Sequence, residues 1–114
     1  MSSTRDSVLT KSFRKEVELL SRHVQLLNVV RREGPIGIVR LSSATGLPQH
    51  KVRYSLRILQ EEDYIEPTTK GAAATARTEQ FLDHVADILD AATADMAALK
   101  AEIEESNLRL RQSQ

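Results

Sequence analysis

The run Leu41-Ser-Ser-Ala-Thr-Gly46-Leu-Pro48-Gln-His-Lys-Val52-Arg-Tyr-Ser-Leu56-Arg-Ile-Leu59 holds two short helical patterns with a tight turn between them. Ile38, Leu41 and Ala44 recur at helical spacing ahead of Gly46, which ends a helix of roughly two turns. Pro48 suits the first position of the next helix, where its missing N–H is not needed. That second helix is predicted over 48–62, with Val52, Leu56 and Leu59 as its inward stripe. Thr45-Gly-Leu-Pro48 is a short turn containing Gly, the connection of a helix-turn-helix.

Upstream, residues 1–11 are Ser/Thr-rich with scattered charge and read as a mobile N-terminal arm. From Ser12 to Glu33, Phe13, Val17, Leu20, Val24, Leu27 and Val30 step by three and four and gather on one helical face, widened by Leu19 and Leu26. Gly34-Pro35 stops that helix, with Gly expected in a left-handed cap. Downstream, Asp63 stands where a helix more often ends in Gly, and Asp tolerates the left-handed region better than most residues. Tyr64-Ile-Glu-Pro67 reads as a strand, Thr68-Thr-Lys-Gly71 as a turn with Gly at positive φ, and Ala72-Ala-Ala-Thr75 as a returning strand of low propensity.

From Thr78 to Leu110 no Gly or Pro interrupts the chain. Leu82, Val85, Leu89, Ala92, Met96, Leu99, Ile103, Ser106 and Leu110 form heptads, the seam of a coiled coil. A helix of that length spans about 50 Å at 1.5 Å per residue. It outruns the preceding domain, so its stripe calls for a partner, and a second copy of the same helix is the expected one. The direction of pairing is left open. The fold class expected is mainly α with a small β-hairpin wing, a winged helix-turn-helix plus a long C-terminal helix. The organisation expected is an arm over 1–11, the winged domain over 12–76, a dimerisation helix over 77–110 and a tail over 111–114.

The 114 residues carry 16 Lys+Arg and 16 Asp+Glu, but the charges are segregated. Met1–Arg57 has a net of +7, and Ile58–Asn107 a net of −9. Only the first half suits a polyanion. No apolar run approaches the ~18 residues of a membrane helix, and no Cys is present for a disulfide or thiolate site. A cytoplasmic setting is expected.

The stretch Gly37–Ala74 resembles the winged-helix DNA-binding domain. The likeness rests on Leu41–Pro48, Val52–Leu59, Glu61-Glu-Asp-Tyr-Ile65 and Thr69-Lys-Gly71. With the helix after Ala74 added, the chain is similar to archaeal predicted transcriptional regulators that join one winged helix to a C-terminal dimerising helix. The resemblance implies double-stranded DNA as partner, a homodimer, and an association with the nucleoid. It covers about 60 residues from the first helix to the wing. Asp63 and the Ala-rich second strand depart from the family pattern.

The residues themselves suit that role. With Val52, Leu56 and Leu59 turned inward, Gln49, His50, Arg53, Tyr54 and Arg57 face outward, and Lys51 sits at the border. Gln49, His50 and Arg53, near the helix N-terminus, are the candidates for base edges in a major groove. Arg57 and Tyr54 suit phosphate or sugar, Thr68, Thr69 and Lys70 the wing tip, and Arg40, Ser42 and Ser43 further phosphates. Two other readings stand beside sequence-specific regulation: an architectural chromatin protein without strong sequence preference, and a winged-helix protein-interaction module that does not bind DNA.

No catalytic constellation, cofactor site or small-molecule site is expected. His23, His50 and His84 lie on three different helices without metal-ligand spacing. Asp83, Asp87 and Asp90 read as the solvated face of the long helix.

Overall fold

A computed structural model describes residues 7–113. The chain is mainly helical, with one two-stranded antiparallel hairpin and a long C-terminal helix. It divides into two compact units, Met1–Glu79 and Gln80–Gln114.

Helix α1 (Val8–Glu33) starts four residues before the periodicity suggested. Ser7 caps it, its hydroxyl accepting from the Thr10 N–H at 3.3 Å. Residues 8–11 of the expected arm are therefore helical, and residues 1–6 lie outside those described. Only the C-terminal half of α1 is buried, through Leu26, Leu27, Val29 and Val30. Phe13 and Val17, expected on the buried stripe, are exposed.

Gly34 ends α1 in an extended conformation (φ −68°, ψ 158°), not the left-handed cap expected. Its N–H still bonds the Val30 carbonyl at 2.8 Å. A Cβ at this position would meet that carbonyl oxygen at 2.5 Å, so the close approach of the two backbones demands Gly here.

Helix α2 (Ile38–Thr45) buries Leu41 completely, while Ala44 faces solvent. Gly46 takes the left-handed conformation (φ 74°) that turns the chain toward helix α3 (Gln49–Glu61). Pro48 is the cap residue of α3 rather than its first helical one, because its ψ of 149° is extended. The buried stripe of α3 is Val52, Ser55 and Leu59. Leu56, expected inside, is only half-buried, and Ser55 has taken the central place.

Asp63 adopts φ 64°, the left-handed turn that starts the hairpin. Strands β1 (Ile65–Thr68) and β2 (Gly71–Ala74) pair from Ile65↔Ala74 to Thr68↔Gly71. On its other edge β2 meets Ile36: the Ile36 N–H donates to the Ala72 carbonyl at 3.0 Å, and the Ala72 N–H donates back at 2.9 Å. Both backbone groups of Ala72 thus bond to Ile36, while on the β1 side it lies opposite Pro67, which has no N–H to offer. Gly71 (φ 118°) lies so close that a Cβ would sit 2.4 Å from the Ile36 carbonyl carbon.

Helix α4 (Thr78–Gln112) extends two residues past its expected end. Of its nine heptad residues Val85 alone is buried, Leu82 and Ala92 are half-buried, and the other six are exposed. No described helix is long and apolar enough to cross a membrane.

Replacing Gly71 by Ala adds both a forbidden φ and a backbone clash, and is expected to destabilise the N-terminal unit by at least about 2 kcal/mol. The urea midpoint measures it, and a Gly37→Ala control, with open space at its Cβ, should move the midpoint far less.

Candidate nucleic-acid interface

Because Val52, Ser55 and Leu59 turn inward, α3 presents Gln49, His50, Arg53, Tyr54 and Arg57 to solvent, with Lys51 half-buried at the edge. Arg53 and Gln49, one turn apart, are joined: an Arg53 guanidinium N–H donates to Gln49 Oε1 at 3.3 Å. A cleft of about 640 Å³ runs between α3 and the hairpin, and Arg53, Leu56, Arg57, Pro67 and Thr68 are among its lining residues. It brings two of the α3 cations beside the hairpin, with Glu61 at its border as a carboxylate.

Other expected residues are placed differently. Arg40, Ser42 and Ser43 do not line the cleft, nor do Thr69 and Lys70. Arg40, Ser43, Thr69 and Lys70 are nonetheless exposed. Two hydroxyls expected to meet phosphate are engaged internally instead. Ser42 donates to the Leu47 carbonyl at 2.6 Å, fastening the turn between α2 and α3. Thr68 donates to the Gly71 carbonyl at 2.7 Å and accepts from the Lys70 N–H at 3.1 Å, so it shapes the hairpin turn. Their cost of diversion is a buried or turn-forming hydrogen bond lost, which makes them structural residues first.

A cluster the sequence reading did not assemble joins α1 to α3. Ser55 is fully buried, and its hydroxyl accepts from Arg22 Nε at 3.2 Å. The same hydroxyl shares a 2.8 Å hydrogen bond with His23 Nδ1. When His23 is neutral, Ser55 is able to accept from Arg22 while donating to Nδ1, which satisfies a polar atom in the core. The Tyr54 ring lies beside this cluster. Its centroid is 6.1 Å from that of His23, 5.8 Å from the Arg22 guanidinium carbon and 5.4 Å from that of Arg57. Both guanidinium distances fall within the reach of cation–π attraction. Arg22 and His23 directly precede Val24 of the α1 stripe, but helical spacing holds no information about which part of α3 they face.

Neither a family model nor a curated protein matches this chain. The reading of the interface therefore rests on its own geometry and chemistry.

Burial of the His23 ring, with the Arg22 guanidinium beside it, lowers its pKa from the ordinary 6.5. The unfolded chain then binds the proton more readily than the folded one, so acidification favours unfolding. The stability that depends on neutral His23 is complete above pH 6.5 and is lost as pH falls through the lower folded value. Urea midpoints at pH 7.5 and below 6 should show a smaller acid loss for His23→Gln than for the parent chain.

Proposed function

We propose that this chain is a homodimeric winged-helix protein that binds double-stranded DNA and acts as a transcriptional regulator, associated with the nucleoid in the cytoplasm. The observation that carries the reading is the outward face of α3, where Gln49, Arg53 and Arg57 stand exposed next to a hairpin that has Lys70 at its turn. The second helix of a helix-turn-helix places its N-terminal residues against base edges in the major groove. Gln49 and His50 occupy that end of α3, and Arg53 lies one turn on. Arg pairs with guanine and Gln with adenine, each pair supplying roughly 1–3 kcal/mol of discrimination. Arg57, Tyr54 and Lys51 suit sugar and phosphate, and the exposed Lys70 suits the backbone beside the wing.

The long helix supplies the second half of the proposal. Leu89, Met96, Leu99, Ile103 and Leu110 are exposed along one stripe of α4, and heptads of this kind are covered by another helix. Pairing with a second copy doubles the number of recognition helices and fixes their separation, which matches a DNA site with two half-sites. The acidic residues Asp83, Asp87 and Asp90 keep this helix unfavourable for DNA, so the basic face of α3 sets the orientation of docking. No catalytic role and no cofactor are part of this reading.

Fluorescence anisotropy with a random-sequence duplex tests it. The parent chain should bind with a steep salt dependence, and Arg53→Ala/Arg57→Ala should lose affinity and lower the salt slope by about 1 for each phosphate contact removed. No binding at low salt would sink the DNA reading in favour of a protein-interaction module. A specific-to-nonspecific ratio near unity across a pool of sequences would turn it toward an architectural role. The dimer has its own check: Leu99→Glu should convert the chain to a monomer in sedimentation equilibrium while leaving its helix content unchanged.

A further inference from the structure

The Tyr54 ring gathers two guanidinium groups from different helices. Arg57 belongs to α3, but Arg22 comes from the middle of α1, thirty-three positions before Ser55 in the sequence. Among the described residues neither arginine is ion-paired to a carboxylate. Glu18, one turn before Arg22 on α1, also borders the small cleft that Arg22 shares with Lys51, yet makes no ion pair with it. Two like charges drawn to one ring, with a third cation nearby at Lys51, leave a local excess of positive charge that an anion would relieve.

The way Arg22 is held matters as much as its charge. Its Nε is tied to the buried Ser55 hydroxyl at 3.2 Å, while its guanidinium carbon lies 5.8 Å from the Tyr54 centroid. The terminal nitrogens of a guanidinium anchored through Nε remain as a two-pronged donor, the geometry that grips a phosphate. A side chain oriented in advance loses less freedom on binding than a free surface arginine.

We propose that Arg22 is a phosphate-contacting residue of the interface, seated on the Tyr54 ring and positioned by Ser55, so that α1 as well as α3 grips the backbone of the bound duplex. The ligand is a phosphodiester of the same DNA strand that runs along α3. This rests on the DNA-binding reading above. It adds a contact from a helix that lies outside the helix-turn-helix, and it gives Tyr54 and Ser55 positioning roles.

The salt dependence of duplex binding separates this from a purely structural role. Arg22→Gln should weaken binding roughly threefold to tenfold and lower the salt slope by about 1, and Arg22→Lys, which keeps the charge, should restore most of the slope. Ser55→Ala should weaken binding with the salt slope nearly unchanged, since no charge is removed. Urea midpoints taken in parallel show whether each variant is folded at the temperature of the assay. If Arg22→Gln is folded and binds with the parent affinity and slope while Arg53→Ala/Arg57→Ala loses both, this inference is overturned and the DNA reading stands. If the parent chain itself fails to bind at low salt, both fall together.

Discussion

Two backbone hydrogen bonds between Ile36 and Ala72 tie the segment after α1 to the inner strand of the hairpin. They set the position of everything that follows in the N-terminal unit. Ile36 is buried and lies two residues before the start of α2, so that start is fixed relative to the hairpin. The hairpin in turn begins where α3 ends, through the left-handed Asp63. The bonds exist only because Gly71 lets the two backbones approach to a distance that excludes any side chain. Thr75 and Thr78 then fasten the far side of the turn, donating to the Asp63 and Tyr64 carbonyls at 2.6 and 2.8 Å. A hairpin of only two four-residue strands is marginal by itself in water, and these attachments make it part of the domain.

The second structural constraint is the polar contact inside the α1–α3 packing. A serine at the centre of a helix stripe is a poor choice for a hydrophobic core unless its hydroxyl is satisfied. Arg22 and His23 satisfy it, and no buried side-chain polar atom of the described residues lacks a partner. The arrangement links the core to the outward face of α3, because Tyr54 is the next residue and its ring rests beside the same arginine and histidine. Stability and the geometry of the basic face therefore share residues. The protonation of His23 bears on both.

Much of the fold is legible in the sequence where local chemistry acts alone. Heptad and helical periodicities located the four helices of the described residues to within a few residues, and Gly46, Asp63 and Gly71 took the positive φ their types favour. The departures each have a tertiary cause. Gly34 is needed for backbone proximity rather than for a left-handed cap. Phe13 and Val17 continue the apolar period of α1 along a stretch where the described residues leave them exposed. Ser55 displaces Leu56 from the centre because partners on α1 meet it there.

The sequence by itself determined the order of elements, the segregation of charge and the outward face of α3, because propensity, period and turn chemistry depend on neighbours a few positions apart. It placed Gln49, His50, Arg53, Tyr54 and Arg57 on that face, and they are exposed. Only the tertiary structure decided which hydroxyls are consumed by turns, as with Ser42 and Thr68. It also decided that Arg22 reaches Tyr54, and that Ile36 lends a third segment to the hairpin. The last two facts depend on contacts between residues more than thirty positions apart, and no local pattern encodes which surfaces meet when the chain closes on itself.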